Sequence, residues 1–310
     1  MTLQLLKDLP LEVPDEIVDL AKIFFDGVSK YWAPLHEEVR AIAEHVAPGS
    51  VAQHDAWMRA NINTHSKELP LMNPFDVFMF AMLYLLVLLV LRILMSVLPS
   101  AKETLPMKAF QLWHNFFLMA LSFYMMVEII RQAIINGYSV WFNNLDNSAA
   151  GWPMAKILWI FYVSKIYEFM DTFIMMLRHS FRQVTFLHVY HHCSVFPIWW
   201  CVIFLGPTGD SYWSAALNSW VHVVMYSYYF LATSDKIGQR LKRWKSYITI
   251  CQMTQFALNL VQAVALVYVS MPGYPIRLAH ILLVYMITLL MLFYNFYRSM
   301  QKAGGKQKRQ

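Results

Sequence analysis

The sequence predicts an all-α polytopic membrane protein with seven transmembrane helices. Of its 310 residues, 58% are hydrophobic and 14% charged, where soluble domains carry about 25% charged residues. The mean hydropathy is +0.41. Beyond residue 72, seven apolar runs are each long enough to cross ~30 Å of hydrocarbon at ~1.5 Å per residue. Lys and Arg collect in alternate short connections between those runs, the pattern that sets orientation in a bilayer.

Composition also excludes several functions. The net charge of +6 is spread over short segments between apolar runs, so there is no continuous basic patch and no nucleic-acid partner is expected. Cys193, Cys201 and Cys251 all lie in or beside predicted spans, which gives no disulfide framework. The first apolar stretch, near Ile17 to Phe25, is interrupted by Asp19 and Lys22 and has no small-residue cleavage site. No cleavable signal peptide is expected, so the first membrane helix inserts itself. No internal repeat is evident, which counts against a transporter built from repeated halves.

In chain order, residues 1–72 are mixed and charged, with no run approaching the ~20 residues of a span. They are expected to form an extramembrane or interfacial arm. The seven spans then fall at 74–98, 107–135, 154–177, 184–205, 211–232, 246–270 and 277–298, a transmembrane unit over 73–298, with a basic tail at 299–310. Arg178 and Arg182 mark the third connection; Lys236, Arg240, Lys242, Arg243 and Lys245 mark the fifth; Lys302, Lys306, Lys308 and Arg309 mark the tail. Residues 137–153 and 206–210 hold no Lys or Arg. The tail is therefore expected in the cytosol and the N-terminal arm in the lumen. Lys306 and Lys308 also match the K-x-K-x-x pattern that resembles a retrieval signal of the endoplasmic reticulum; the positive-inside rule alone accounts for them equally well.

Polar groups gather at one depth. In span four, FLHVYHHCSVFP puts His188, His191 and His192 on one side of an otherwise apolar helix, and ionisable groups inside a span mark function by default. Span three carries Lys165, Glu168, Asp171 and Thr172 within an arc of about 120°; a buried ion cluster that locks helix packing is the competing explanation. Span five adds Asn218, His222, Met225, Tyr226 and Tyr229 on one face, and span six Thr249, Gln252, Gln255, Asn259 and Gln262. Gln111, His114 and Asn115 of span two lie at a similar depth and carry less weight, and Glu128 with Arg131 reads as an intrahelical pair. The convergence implies a cavity open toward the cytosol, with an apolar remainder reaching toward the lumen.

KIYEFMDT at 165–172, HVYHH at 188–192, NSWVHVVMYSYY at 218–229 and TICQMTQ at 249–255 together resemble, in order and approximate spacing, the ELO family of very-long-chain fatty acid elongases. The resemblance implies seven helices enclosing an acyl-binding tunnel in the endoplasmic-reticulum membrane. It also implies a reaction in which acyl-CoA and malonyl-CoA give 3-oxoacyl-CoA, carbon dioxide and CoA, with no cofactor and no metal. His191 is then the nucleophile that carries the acyl group, since a neutral imidazole is both nucleophile and base. His222 promotes the malonyl step or orients the second substrate, and His188 and His192 tune or orient the reacting ring. Lys165, Glu168, Asp171 and Asn218 complete the catalytic set, mostly as orienting partners.

On the same resemblance, Thr172, Met225, Tyr226, Tyr229, Gln252 and Gln255 contact substrate, while Arg178, Arg182, Lys242 and Arg243 hold the CoA phosphates. The implied partners are membrane lipid, the reductases and dehydratase of the elongation cycle, and a second copy of the chain. HVYHH with Tyr190 is nearest to the branch acting on polyunsaturated substrates. Membrane di-iron desaturases and hydroxylases also carry H-x-x-H-H boxes, but need about eight histidines in several boxes. Here one box is present, and His36, His45, His54, His65, His179 and His280 are scattered. A non-enzymatic seven-span receptor or transporter is the other alternative.

Overall fold

The computed structural model describes residues 2–241 and 244–307. Among these the regular elements are all helical, with no strand. An N-terminal arm holds α1 (Thr2–Lys7), α2 (Asp15–Val46) and α3 (Ser50–Asn61). The bundle follows as α4 (Pro74–Leu94), α5 (Leu105–Ile135), α6 (Trp152–Leu177), α7 (Phe186–Leu205), α8 (Ser211–Ala232), the short α9 (Asp235–Leu241), α10 (Trp244–Val269) and α11 (Ile276–Gln307).

Local chemistry sets the ends of these helices. The Asn73 side chain accepts from the Phe75 N–H at 2.9 Å and Pro74 follows, an N-cap with proline at the first helical position. Thr185 caps α7 by accepting from the His188 N–H at 3.2 Å. α5 stops where Gly137 turns left-handed at φ 66° and the Tyr138 N–H closes on the Ala133 carbonyl at 2.8 Å.

α4, α5, α10 and the 276–302 part of α11 are long and apolar enough to cross a membrane. α6, α7 and α8 are 26, 20 and 22 residues long, and they fall short in apolarity because they carry the charged, imidazole and hydroxyl groups of the interior. α6 lies at the centre, in contact with α4, α5, α7 and α8. Ile157, Leu158, Phe161 and Tyr162 on it are at most 1% exposed. α5 packs along α8, and α10 pairs with α11, which also reaches α7.

The expected boundaries need three corrections. Helix α11 runs on through Gln307, so the tail continues span seven rather than standing apart. The fifth connection contains α9. Residues 69–72 belong to the bundle: Leu69 and Leu71 are buried, and Trp159, Tyr162 and Trp200 donate to the carbonyls of Pro70, Leu71 and Met72. Lys242, Arg243, Lys308 and Arg309 lie outside the described residues.

At one end the connections interlock into a cap. The Asp210 carboxylate accepts from the N–H groups of Phe142 and Asn143 at 2.9 Å each and from Asn143 Nδ2 at 2.7 Å. The Leu145 N–H donates to the Gly273 carbonyl at 2.9 Å. Gly209 is required here, because its φ is +61° and a Cβ would sit 2.9 Å from the Asn144 carbonyl oxygen.

Candidate active site

Helix α6 distributes its polar residues to four neighbours instead of presenting one face to one cavity. Lys165 Nζ donates to Glu168 Oε1 at 2.6 Å, lies 3.4 Å from Asn218 Oδ1 of α8 and sits 3.9 Å above the Phe161 ring. The same Glu168 oxygen is 3.6 Å from His222 Nδ1. Lysine, glutamate and histidine thus form one chain across α6 and α8, with Lys165 and Glu168 both essentially inaccessible.

One turn further, Asp171 joins three helices. Its Oδ1 is 2.8 Å from His114 Nε2 of α5, and its Oδ2 accepts from the Tyr226 hydroxyl of α8 at 2.7 Å. The Thr172 hydroxyl is 2.8 Å from His188 Nε2 and 3.0 Å from the Tyr84 hydroxyl of α4. The His188 ring lies 4.5 Å from that of His192, which lies 5.6 Å from that of His191.

His191 points elsewhere. It lines a narrow cavity of about 60 Å³ between α7, α8, α10 and α11. Val195, Ile198, Trp199, Leu282, Met286 and Leu289 give it apolar walls, while Asn218, Gln255, Asn259 and Gln262 add a polar strip. Its far end reaches Asp210, Ser211 and Tyr274 beneath the cap. Among the described residues nothing hydrogen-bonds His191 Nδ1 or Asn259 Oδ1, although both atoms are buried.

The expected site residues therefore divide. Lys165, Glu168, Asn218 and His222 come together, as do His188 and Thr172, and His191 and Gln255 share the cavity. Thr172, expected at substrate, is fully buried between Tyr84 and His188 and orients the histidine instead. Gln252 donates to Met225 Sδ at 3.6 Å, so these two satisfy each other. Tyr226 is occupied by Asp171, and Tyr229 packs on it at 6.0 Å between rings. Arg178 caps the end of α6 and Arg182 is exposed in the turn that follows, and neither lines the cavity. Among the described residues no group of three or more His, Cys, Asp or Glu side chains is arranged to hold a metal ion.

His114 carries little weight in the sequence because it is the one histidine on its helix. Its partner, Asp171, is 57 positions away. Only the packing of α5 on α6 brings them together.

A buried histidine cluster on an all-helical bundle, beside an elongated apolar cavity, is the arrangement of a membrane lipid enzyme. The family model described as ELO, the GNS1/SUR4 family, matches residues 69–309, and the chain belongs to that family. It is 43% identical over 254 residues to "Fatty acid elongase 6" of Leishmania major, covering 79% of this chain and 66% of that protein. It is 42% identical over 185 residues to "Very long chain fatty acid elongase 2" of Mus musculus, covering 59% and 63%. For "Very long chain fatty acid elongase 5" of Xenopus laevis the figures are 41% over 186 residues, 59% and 62%. The chain thus spans a little under two thirds of the length of these relatives.

Proposed function

We propose that the chain is the condensing enzyme of fatty acid elongation, joining a fatty acyl-CoA to malonyl-CoA to give 3-oxoacyl-CoA, carbon dioxide and CoA. The observation that carries this reading is the position of His191, at one end of a long apolar cavity and with Nδ1 unpartnered. An imidazole nitrogen of His191 attacks the thioester carbonyl, and the C–S bond breaks to release the CoA thiolate, which takes up a proton. Malonyl-CoA loses carbon dioxide, and the carbanion left at its α-carbon attacks the acyl-imidazole carbonyl. The new carbon–carbon bond forms as the C–N bond to His191 breaks, which regenerates the free imidazole.

The other groups orient and balance charge. Lys165 fixes Glu168, and Glu168 faces His222, which is thereby held to serve the malonyl step. Thr172 holds His188 against His192, next to the reacting ring. The acyl tail fills the cavity from His191 toward the cap. From His191 to Val202 the wall is roughly 16 Å long at ~1.5 Å per residue. An extended chain advances about 1.2 Å per bond, so roughly 13 bonds span it straight and a longer tail must bend. Cis double bonds supply bends, which favours a polyunsaturated tail, and the likeness to relatives named very long chain fatty acid elongases supports a long-chain substrate.

Seven helices cross the membrane in this reading, with α6, α7 and α8 shielded by the more apolar four. In this reading the α9 end faces the cytosol, an orientation that the basic connections support, and the cap faces the lumen of the endoplasmic reticulum. Arg182, Lys236, Arg240, Lys242 and Arg243 then offer charge to the CoA phosphates. Reductases and a dehydratase then process the 3-oxoacyl product, and a second copy of the chain is proposed as a neighbour. The test is expression in yeast fed saturated and polyunsaturated fatty acids, with gas chromatography of total lipids. Products two carbons longer are expected, and a new double bond at unchanged length would overturn the reading.

A further inference from the structure

We infer that α2 is an in-plane membrane helix whose outer face binds the lipid at the bilayer boundary. Leu20, Phe24, Tyr31, Leu35, Ile42 and Val46 are all largely exposed, and at 100° per residue they fall within an arc of about 80°. Asp19, Lys22, Asp26, Lys30, Glu37 and Glu44 occupy the opposite side, and Glu38 sits at the edge of the apolar arc. An apolar stripe along 32 residues with a charged back is the pattern of a helix lying in the interface, and an exposed apolar patch of this extent on a folded chain marks a contact surface.

The packing fixes the depth of that stripe. At its start, Asp15 accepts from Lys156 Nζ and Trp152 Nε1 in the first two turns of α6. Further along, Ser29 and Trp32 donate to Asp76, and Phe25 and Trp32 pack edge-on against Phe80, in the first two turns of α4. From Asp15 to Trp32 is roughly 25 Å along α2 at ~1.5 Å per residue. Over that distance α2 stays level with the beginnings of two membrane helices, so it runs across their ends rather than along them. Its inner edge is spent on these contacts and the stripe beside that edge is uncovered. Phe78, in the first two turns of α4, is also exposed, as are further apolar residues along that membrane-crossing helix.

The charge of α2 narrows the partner further. The helix carries seven carboxylates and three Lys or Arg, which repels anionic headgroups. Attachment therefore rests on apolar burial in zwitterionic lipid, and this conclusion does not depend on the catalytic reading.

The test places the photocrosslinker p-benzoylphenylalanine at Phe24, Tyr31 or Lys30 of the full chain in phosphatidylcholine nanodiscs. Phe24 and Tyr31 exchange one aromatic group for another, which keeps the fold intact even if the Lys30 variant is perturbed. Illumination is expected to give phosphatidylcholine adducts by mass spectrometry at Phe24 and Tyr31 and none at Lys30, with yields that do not rise when phosphatidylglycerol is added. Absence of adducts at both aromatic positions, crosslinks to a second copy of the chain, or adducts at all three positions would overturn the inference. So would a rise in yield with phosphatidylglycerol.

Discussion

His188, His191 and His192 share two turns of α7 and meet three different surroundings. His188 is fixed by Thr172, His192 is buried against both other rings, and His191 faces the cavity. Spacing in the sequence put all three on one side of a helix; it contained nothing about what each would face, because Thr172, Tyr84 and the cavity walls come from other helices. The α6 stripe is legible in the same partial way: its residues are identifiable, and their division among α4, α5, α7 and α8 is not. Replacing His191 with alanine is expected to abolish elongation while leaving the protein folded, checked by lipid profiling beside size-exclusion behaviour. Lys165→Met should destabilise by about 3–5 kcal/mol, since it strands the buried Glu168 carboxylate. The double variant Lys165→Met with Glu168→Gln should recover much of that loss in a thermal melt. Equal melting of the single and double variants would show that the pair is not coupled.

Helix α6 is the element on which the others depend, since it is the most thoroughly buried and touches four neighbours. Its cap-side end also holds the arm, where Lys156 Nζ reaches Glu12 at 2.8 Å and Asp15 at 2.9 Å. The hydrogen bond from Lys156, aided by that from Trp152, holds the Asp15 carboxyl below its ordinary range. A lowered carboxylate pKa stabilises the docked arm above the ordinary value of ~3.9 and loses that contribution as pH falls through the folded value. Hydrogen exchange at the start of α2 should therefore stay slow down to about pH 4 and quicken below it. Lys156→Met should quicken it already at neutral pH. Helix existence was readable from apolar runs, and α8 begins and ends where the run does. The end of α11 was not readable, because Met300, Gln301 and Lys302 are good helix formers that extend the helix after the apolar run stops.

The molecule as a whole closes a cavity at one end with three interlocked connections and sets His191 at the other. Residues 206–210 and 270–275 have no periodic pattern, so the cap on Asp210 was invisible in the sequence, and with it the depth of the cavity. Ala279 is 1% exposed and lines the cavity toward the capped end. Ala279→Leu should shorten the products by at least one two-carbon step on gas chromatography without changing which double bonds they contain; an unchanged chain-length profile would place the tail elsewhere. The central claim is that His191 carries the acyl group. Its most direct test is peptide mass spectrometry of the purified protein after incubation with a polyunsaturated acyl-CoA alone and then with malonyl-CoA. An acyl adduct on His191 that disappears when malonyl-CoA is added, and never forms in His191→Ala, is the predicted result. Acylation at another residue, or full elongation by His191→Ala, would contradict the account.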